Sequence, residues 1–235
     1  MADFVLVHGA WLGAWCWKRV VPPLWTAGHR AFAVTLTGVG DRAHQLSPSI
    51  RLSTHVDDVV AVIEAEELSS AILVGHSYAG LVITAVADRM PERIAQLVYL
   101  DAIVPRSGEC WSSGQDEATR KARREAIARG GTLPPPDPAV FGLSGADAEW
   151  FGRRQRPHPG GMYDEPLQFD PARVASLPRT FVDCTRPALP TIATSRARVR
   201  TDAGWRVVEI ATGHTPMVSA PEQLLAILRD VARAT

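Results

Sequence analysis

The 235-residue chain is 46% hydrophobic and 21% charged, and its 25 Lys and Arg balance 25 Asp and Glu to a formal net charge of zero. That length fits one large domain with a two-sided core, and the neutral balance excludes the basic footprint of a nucleic-acid binder. Its apolar runs are far shorter than the ~18–20 residues needed to cross a bilayer, so no membrane partner is expected.

Apolar runs of strand length alternate with helical stretches. Phe4–Val7 reads as a buried strand ending at His8-Gly9-Ala10. Trp15–Trp25 reads as a helix stopped by Gly28. Ala31–Leu36 is the next strand, followed by a loop from Thr37 to Ile50. Thr54–Glu67 carries an apolar helical stripe of Val56, Val59, Val60 and Ile63. Ile72–Val74 is a strand, Tyr78–Arg89 a helix and Gln96–Leu100 a strand. Val104–Pro178 then interrupts the alternation with no clear strand, and its Asp116–Arg129 part reads as a helix with a solvated, charge-rich face. Thr180–Cys184 and Trp205–Ile210 are the last strands, and Pro221–Ala232 closes the chain as a helix with Pro in its first turn. Strands that are apolar on both faces and separated by helices imply an α/β fold, a mainly parallel six-stranded sheet covered on both sides. Residues 1–104 and 179–235 form the expected core, and 105–178 a small helical cap, since so long an interruption is rarely inert.

Cys16, Cys110 and Cys184 are odd in number and widely spaced, which predicts neither a disulfide framework nor a zinc site. Nothing at Met1–Phe4 resembles the charged start of a signal peptide. We therefore expect a reduced, cytoplasmic protein with no metal and no cofactor. Gly38-Val39-Gly40-Asp41-Arg42-Ala43 mimics a dinucleotide fingerprint, but it follows the second strand and Ser47-Pro48-Ser49 breaks the chain where a helix should run.

Gly75-His76-Ser77-Tyr78-Ala79 matches the nucleophile elbow G-x-S-x-G, with Ala79 in place of the last glycine. The tight turn needs small neighbours, and Ala79 is small enough. It sets Ser77 at a helix N-terminus, where peptide N–H groups favour negative charge. A serine hydroxyl needs a base. Among seven histidines, His214 follows the last strand, on the strand-end edge where a parallel sheet places its site. An oxyanion requires two aimed N–H donors. The backbone amide of Tyr78 is one candidate, and that of Ala10, in the turn after the first strand, is the other. His8 reads as a support for that turn, while His76 is held in the elbow facing away from Ser77.

Val5-Leu6-Val7-His8-Gly9-Ala10-Trp11, Trp15-Cys16-Trp17, Gly75-His76-Ser77 and Gly213-His214 together resemble the α/β-hydrolases, in particular the plant methylesterase and hydroxynitrile lyase branch and its bacterial relatives. The resemblance implies an α/β-hydrolase fold and a serine esterase acting on a small or medium methyl or aryl ester through an acyl-enzyme, with Ser77 as nucleophile and His214 as base. Alternatives on the same fold are a natural-product tailoring enzyme and a non-catalytic small-molecule receptor. The chain departs from the branch twice. The acid usually found a few residues after the penultimate strand is missing from Cys184-Thr185-Arg186-Pro187-Ala188. Gly9 and Thr215 stand where hydroxynitrile lyases carry a threonine and a lysine, which argues against cyanohydrin cleavage. Asp101, at the end of the strand beside the elbow strand, is therefore the expected acid. This resembles an alternative placement known in the superfamily, and Asp183 is its rival. Large side chains in or near the insertion, Trp11, Trp111, Trp150, Phe151 and Met162, are expected to line the pocket. The oligomeric state stays open, with a homodimer among the options.

Overall fold

The computed structural model describes residues 1–234. In chain order its strands are β1 (Asp3–Val7), β2 (Arg30–Val34), β3 (Ala71–His76), β4 (Ile94–Leu100), the short pair β5 (Thr132–Leu133) and β6 (His158–Pro159), then β7 (Arg179–Cys184) and β8 (Trp205–Ile210). Six of them form one sheet in the order β2-β1-β3-β4-β7-β8. Every pairing in it is parallel. All residues of β3 are buried, so both faces of the central strand are covered. This is why its sequence is an uninterrupted apolar run rather than an alternation.

The helices are α1 (Val21–Thr26), α2 (Leu52–Ala65), α3 (Ala79–Arg89), α4 (Glu117–Gly130), α5 (Gly145–Gly152), α6 (Pro171–Ala175), α7 (Ala193–Thr201), α8 (Pro216–Ser219) and α9 (Pro221–Ala234). Among the described residues no helix is long and apolar enough to cross a membrane. On α2 the buried residues are Leu52, His55, Val56, Val59, Val60 and Ile63, the single stripe that helical periodicity demands. On α9 they are Leu224, Leu225, Leu228 and Val231. The expected helix over Trp15–Trp25 is two pieces, a 3₁₀ turn at Ala14–Trp17 and α1. Pro22 and Pro23 cause the break. A proline in a helix interior removes a hydrogen bond and clashes with the preceding turn, so the helix restarts with both in its first turn. The loop after β2 contains a 3₁₀ segment, Gly40–Gln45, and no α-helix opens on the glycines that mimic the dinucleotide motif.

Segment 105–178 contributes α4, α5, α6 and the antiparallel β5–β6 pair. Two-residue strands carry no periodic signal, so this pair could not be read from the sequence. The segment is stitched to the sheet edge through Trp11. The indole Nε1–H donates to Leu133 O at 3.0 Å. The Trp11 N–H donates to His158 Nδ1 at 3.4 Å. Trp11 O accepts from Arg156 N at 3.0 Å. A fourth tie runs from His214 N to Phe141 O at 3.0 Å.

Candidate active site

The turn after β3 holds Ser77 at φ 57°, the left-handed region that non-glycine residues avoid. Three main-chain hydrogen bonds fix it there: Ser77 N to Leu100 O at 3.2 Å, and Ser77 O receiving Gly80 N at 3.2 Å and Ile103 N at 3.0 Å. Strain of this kind persists only where the surroundings over-determine it, and such sites tend to be functional. The turn also demands bare backbone around it. A Cβ on Gly75 would come within 2.8 Å of Ala79 O, and one on Gly9 within 2.9 Å of Ser77 Cβ. On Gly80 it would sit 1.9 Å from Ile103 O. Because that obstacle is backbone, Gly80→Ala is expected to destabilise the protein by about 3 kcal/mol, the upper part of the overpacking range. For a chain of this size that is a fall in Tm of roughly 6–12 °C. A melt unchanged within a degree would contradict the packing argument.

Ser77, His214 and Asp101 lie in one hydrogen-bonded series. His214 Nε2 is 2.8 Å from Ser77 Oγ, and His214 Nδ1 is 2.6 Å from Asp101 Oδ2. A carboxylate only accepts, so Nδ1 carries the proton and bare Nε2 faces the serine hydroxyl. Asp101 is fully buried and directly follows β4 at φ 41°, with its N–H donating to Val182 O at 2.7 Å. Its second oxygen, Oδ1, accepts from Arg196 Nη2 at 2.6 Å. Asp183 is one strand further and does not reach the imidazole. Its carboxylate accepts from Arg196 Nε at 2.5 Å and from Arg200 Nη2 at 2.6 Å. One guanidinium thus ties the two aspartates together, and Asp183 supports the Arg196 that holds Asp101.

A cavity of about 90 Å³ opens on Ser77, with Trp11, Trp111, Phe141, Ile103 and Leu189 among its apolar walls. Of the five expected pocket residues, Trp11 and Trp111 line it. Trp150, Phe151 and Met162 do not. Phe151 is fully buried in the core, edge-on to Trp15 and Phe141. Trp150 packs on Trp15 under the guanidinium of Arg154. Met162 is also buried, outside the cavity wall. The insertion spends these side chains on its own attachment. A residue that sequence reasoning missed takes a place in the wall: Arg123, from the helix read as a solvated face. The only signal for it was Ile127, one turn further on the same face of α4 and packed against the core.

A model of the alpha/beta hydrolase family matches residues 4–227. This chain belongs to that family. It is 37% identical over 234 residues to a carbendazim hydrolyzing esterase of Nocardioides sp., covering 95% of this chain and 97% of the relative. It is 28% identical over 249 residues to methylesterase 3 of Arabidopsis thaliana, covering 97% and 95%. Among solved structures, an extracellular alpha/beta-hydrolase from a Paenibacillus species superposes with a TM-score of 0.83 at 23% identity, over 97% of this chain and 98% of that one. The methylesterase protein MES16 from Arabidopsis superposes with a TM-score of 0.79 at 22% identity, over the whole of both chains. The fold and family expected from the sequence are those of this hydrolase.

Around the site of the hydrolase, four buried histidines act as fixed hydrogen-bonding groups. His8 Nδ1–H donates to Gly9 O at 2.7 Å, and His8 Nε2 accepts from Leu36 N at 3.1 Å. Because the Gly9–Ala10 peptide is planar, pinning its carbonyl aims the Ala10 N–H the opposite way. Neither the Ala10 nor the Tyr78 amide has a protein acceptor among the described residues. His55 Nε2–H donates to Thr37 O at 2.9 Å, leaving Nδ1 to accept from Tyr78 O–H at 3.1 Å. His76 Nε2–H donates to His214 O at 2.8 Å and so holds the main chain of the histidine beside Ser77. Burial pushes His8 and His55 down to about 4, and holds His76 and His158 well below the ordinary histidine range. All four are neutral at pH 7. In the unfolded chain they titrate near 6.5, so between about 4 and 6.5 the unfolded state binds more protons and stability falls as pH falls. His8 and His55 alone give a slope of up to roughly 2.7 kcal/mol per pH unit. Urea midpoints measured from pH 7 down to 4.5 should therefore drop steeply below about 6.5, and a flat profile would refute the neutral assignments.

Proposed function

We propose that this α/β-hydrolase is a serine ester hydrolase acting on small carboxylic esters through an acyl-enzyme. The observation that carries the reading is the series Ser77–His214–Asp101, with hydrogen bonds of 2.8 and 2.6 Å on a strained turn at the mouth of a cavity. The esterase and methylesterase relatives support the reaction class. Ser77 Oγ attacks the ester carbonyl carbon while His214 Nε2 takes its proton. The oxyanion of the tetrahedral intermediate accepts from the Ala10 and Tyr78 amides. Collapse breaks the ester C–O bond, and His214 returns the proton to the departing alcohol. Water then attacks the acyl-enzyme with His214 again as base, releasing the acid and restoring Ser77. Asp101 holds the tautomer and stabilises the imidazolium. Residues 105–178 serve as the cap that closes the cavity, and the three free cysteines fit a cytoplasmic setting.

The cavity beside Ser77 is narrow and mainly apolar, so it suits short acyl groups. We expect hydrolysis of methyl and p-nitrophenyl esters with kcat/KM falling as the acyl chain lengthens from acetyl to octanoyl. Release of alcohol by the wild type and not by Ser77→Ala, together with labelling of Ser77 by a sulfonyl fluoride, checks the reading. Failure of every ester in the panel, with Ser77 unlabelled, would sink it.

A further inference from the structure

We propose that Arg123 anchors the substrate and that the preferred esters carry a carboxylate away from the scissile bond. The inference rests on the ester-hydrolase reading and names its substrate class. Arg123 is the one charged side chain in the wall of the cavity that holds Ser77. Its guanidinium carbon lies 5.6 Å from the ring centre of Trp11, 5.3 Å from that of Trp111 and 5.8 Å from that of Tyr163. Arg123 is itself a lining residue and two of these rings are cavity walls, so the guanidinium lies beside the cavity. Its Nη1 is buried with no hydrogen-bond partner among the described residues.

The contrast with the other enclosed arginines gives this weight. Arg196 pairs with Asp101 and Asp183, and Arg198 with Glu109. Arg123 forms no ion pair with a carboxylate among the described residues. Aromatic faces stabilise its charge, but they leave the N–H donors of Nη1 without an oxygen acceptor. Burial lowers the guanidinium pKa, yet an arginine stays charged throughout the neutral range. A buried, charged donor without an acceptor is a cost that an incoming anion removes. A carboxylate fits: its two-oxygen edge matches the planar fork, and it is smaller than a phosphate in a cavity of this volume. Tyr163 donates its O–H to Gln115 Oε1 at 2.6 Å and its oxygen can still accept from one edge of the guanidinium, but Nη1 stays without a partner, and that is the donor a ligand would meet.

The test compares isosteric esters. Monomethyl succinate is set against methyl 4-methylpentanoate, in which an isopropyl group replaces the acyl-side carboxylate. Acetoxyacetate against isobutyl acetate places the charge on the alcohol side instead. In at least one pair the wild type should favour the charged ester by about 10- to 100-fold in kcat/KM, the worth of a hydrogen bond to a charged group. Arg123→Met, which keeps the stem against the rings, should collapse that ratio at least tenfold. Should it fail to fold, Arg123→Lys carries the same test, since an ammonium lacks the fork and should lower the ratio about tenfold. A wild-type ratio near one in both pairs, or a ratio unmoved by either substitution, overturns the proposal. A second arm needs no turnover: calorimetry of succinate with Ser77→Ala, alone and combined with the Arg123 substitution. Succinate bound in an Arg123-dependent way without hydrolysis of any ester would keep the anion site and discard the esterase reading. Hydrolysis of neutral esters without charge preference or succinate binding would do the reverse.

Discussion

Ser77→Ala and His214→Ala are each expected to lower kcat on the best methyl ester by about 10⁶-fold, and the double variant to lose no more than either single one. The two side chains act as a unit. Without the imidazole the serine hydroxyl is not deprotonated, and without the serine the imidazole has nothing to activate but water. The residual rate over solution chemistry should be about 10³–10⁴-fold, contributed by the Ala10 and Tyr78 amides and by substrate positioning. Stopped assays with purified variants and active-site titration of the wild type measure this directly. Multiplicative losses in the double variant, or a Ser77→Ala enzyme keeping several per cent of its activity, would show that the reaction runs through other groups.

Asp101→Asn is expected to lower kcat by about 10⁴-fold while leaving KM nearly unchanged. The amide has no charge with which to stabilise the imidazolium, and its NH₂ can face His214 only if the imidazole takes the wrong tautomer. Asp183→Asn should behave differently although it touches the same arginine. Asp183 is buried and shares Arg196 and Arg200, so neutralising it leaves paired guanidinium groups short of charge. The loss should appear as stability, about 3–5 kcal/mol for breaking a buried pair, with a much smaller drop in kcat in the protein that folds. Urea unfolding and initial rates on both variants separate the outcomes. If Asp183→Asn inactivates as deeply as Asp101→Asn at unchanged stability, the acid has been assigned to the wrong strand.

The elements that place Ser77, His214 and Asp101 were legible because each is set by local signals within a known sheet logic. The elbow is a short motif, His214 follows the last apolar run, and Asp101 directly follows the strand adjacent to β3, so parallel topology alone brings all three to one edge. What escaped the sequence depends on contacts between distant segments. Arg123 sits in a run of charges whose inward member is chosen by three rings that come from residues 11, 111 and 163. Trp150 and Phe151 look like pocket residues until Trp15 claims both. The Arg196 link between the two aspartates joins β4, β7 and α7, and no spacing announces it.

The ties between the 105–178 segment and the sheet edge have a thermodynamic consequence. Three of them belong to Trp11, whose neighbour Ala10 offers the free amide, and the fourth is the N–H of His214 itself. A rigid-body swing of the segment would break all four and release the peptides beside Ala10 and of His214, to which the proposed mechanism gives the oxyanion and the proton. Any excursion that detaches it is therefore a local unfolding of the machinery, not the opening of a door. The amide protons of Arg156 and His214 should therefore exchange with one shared opening free energy, lost together with activity as denaturant rises.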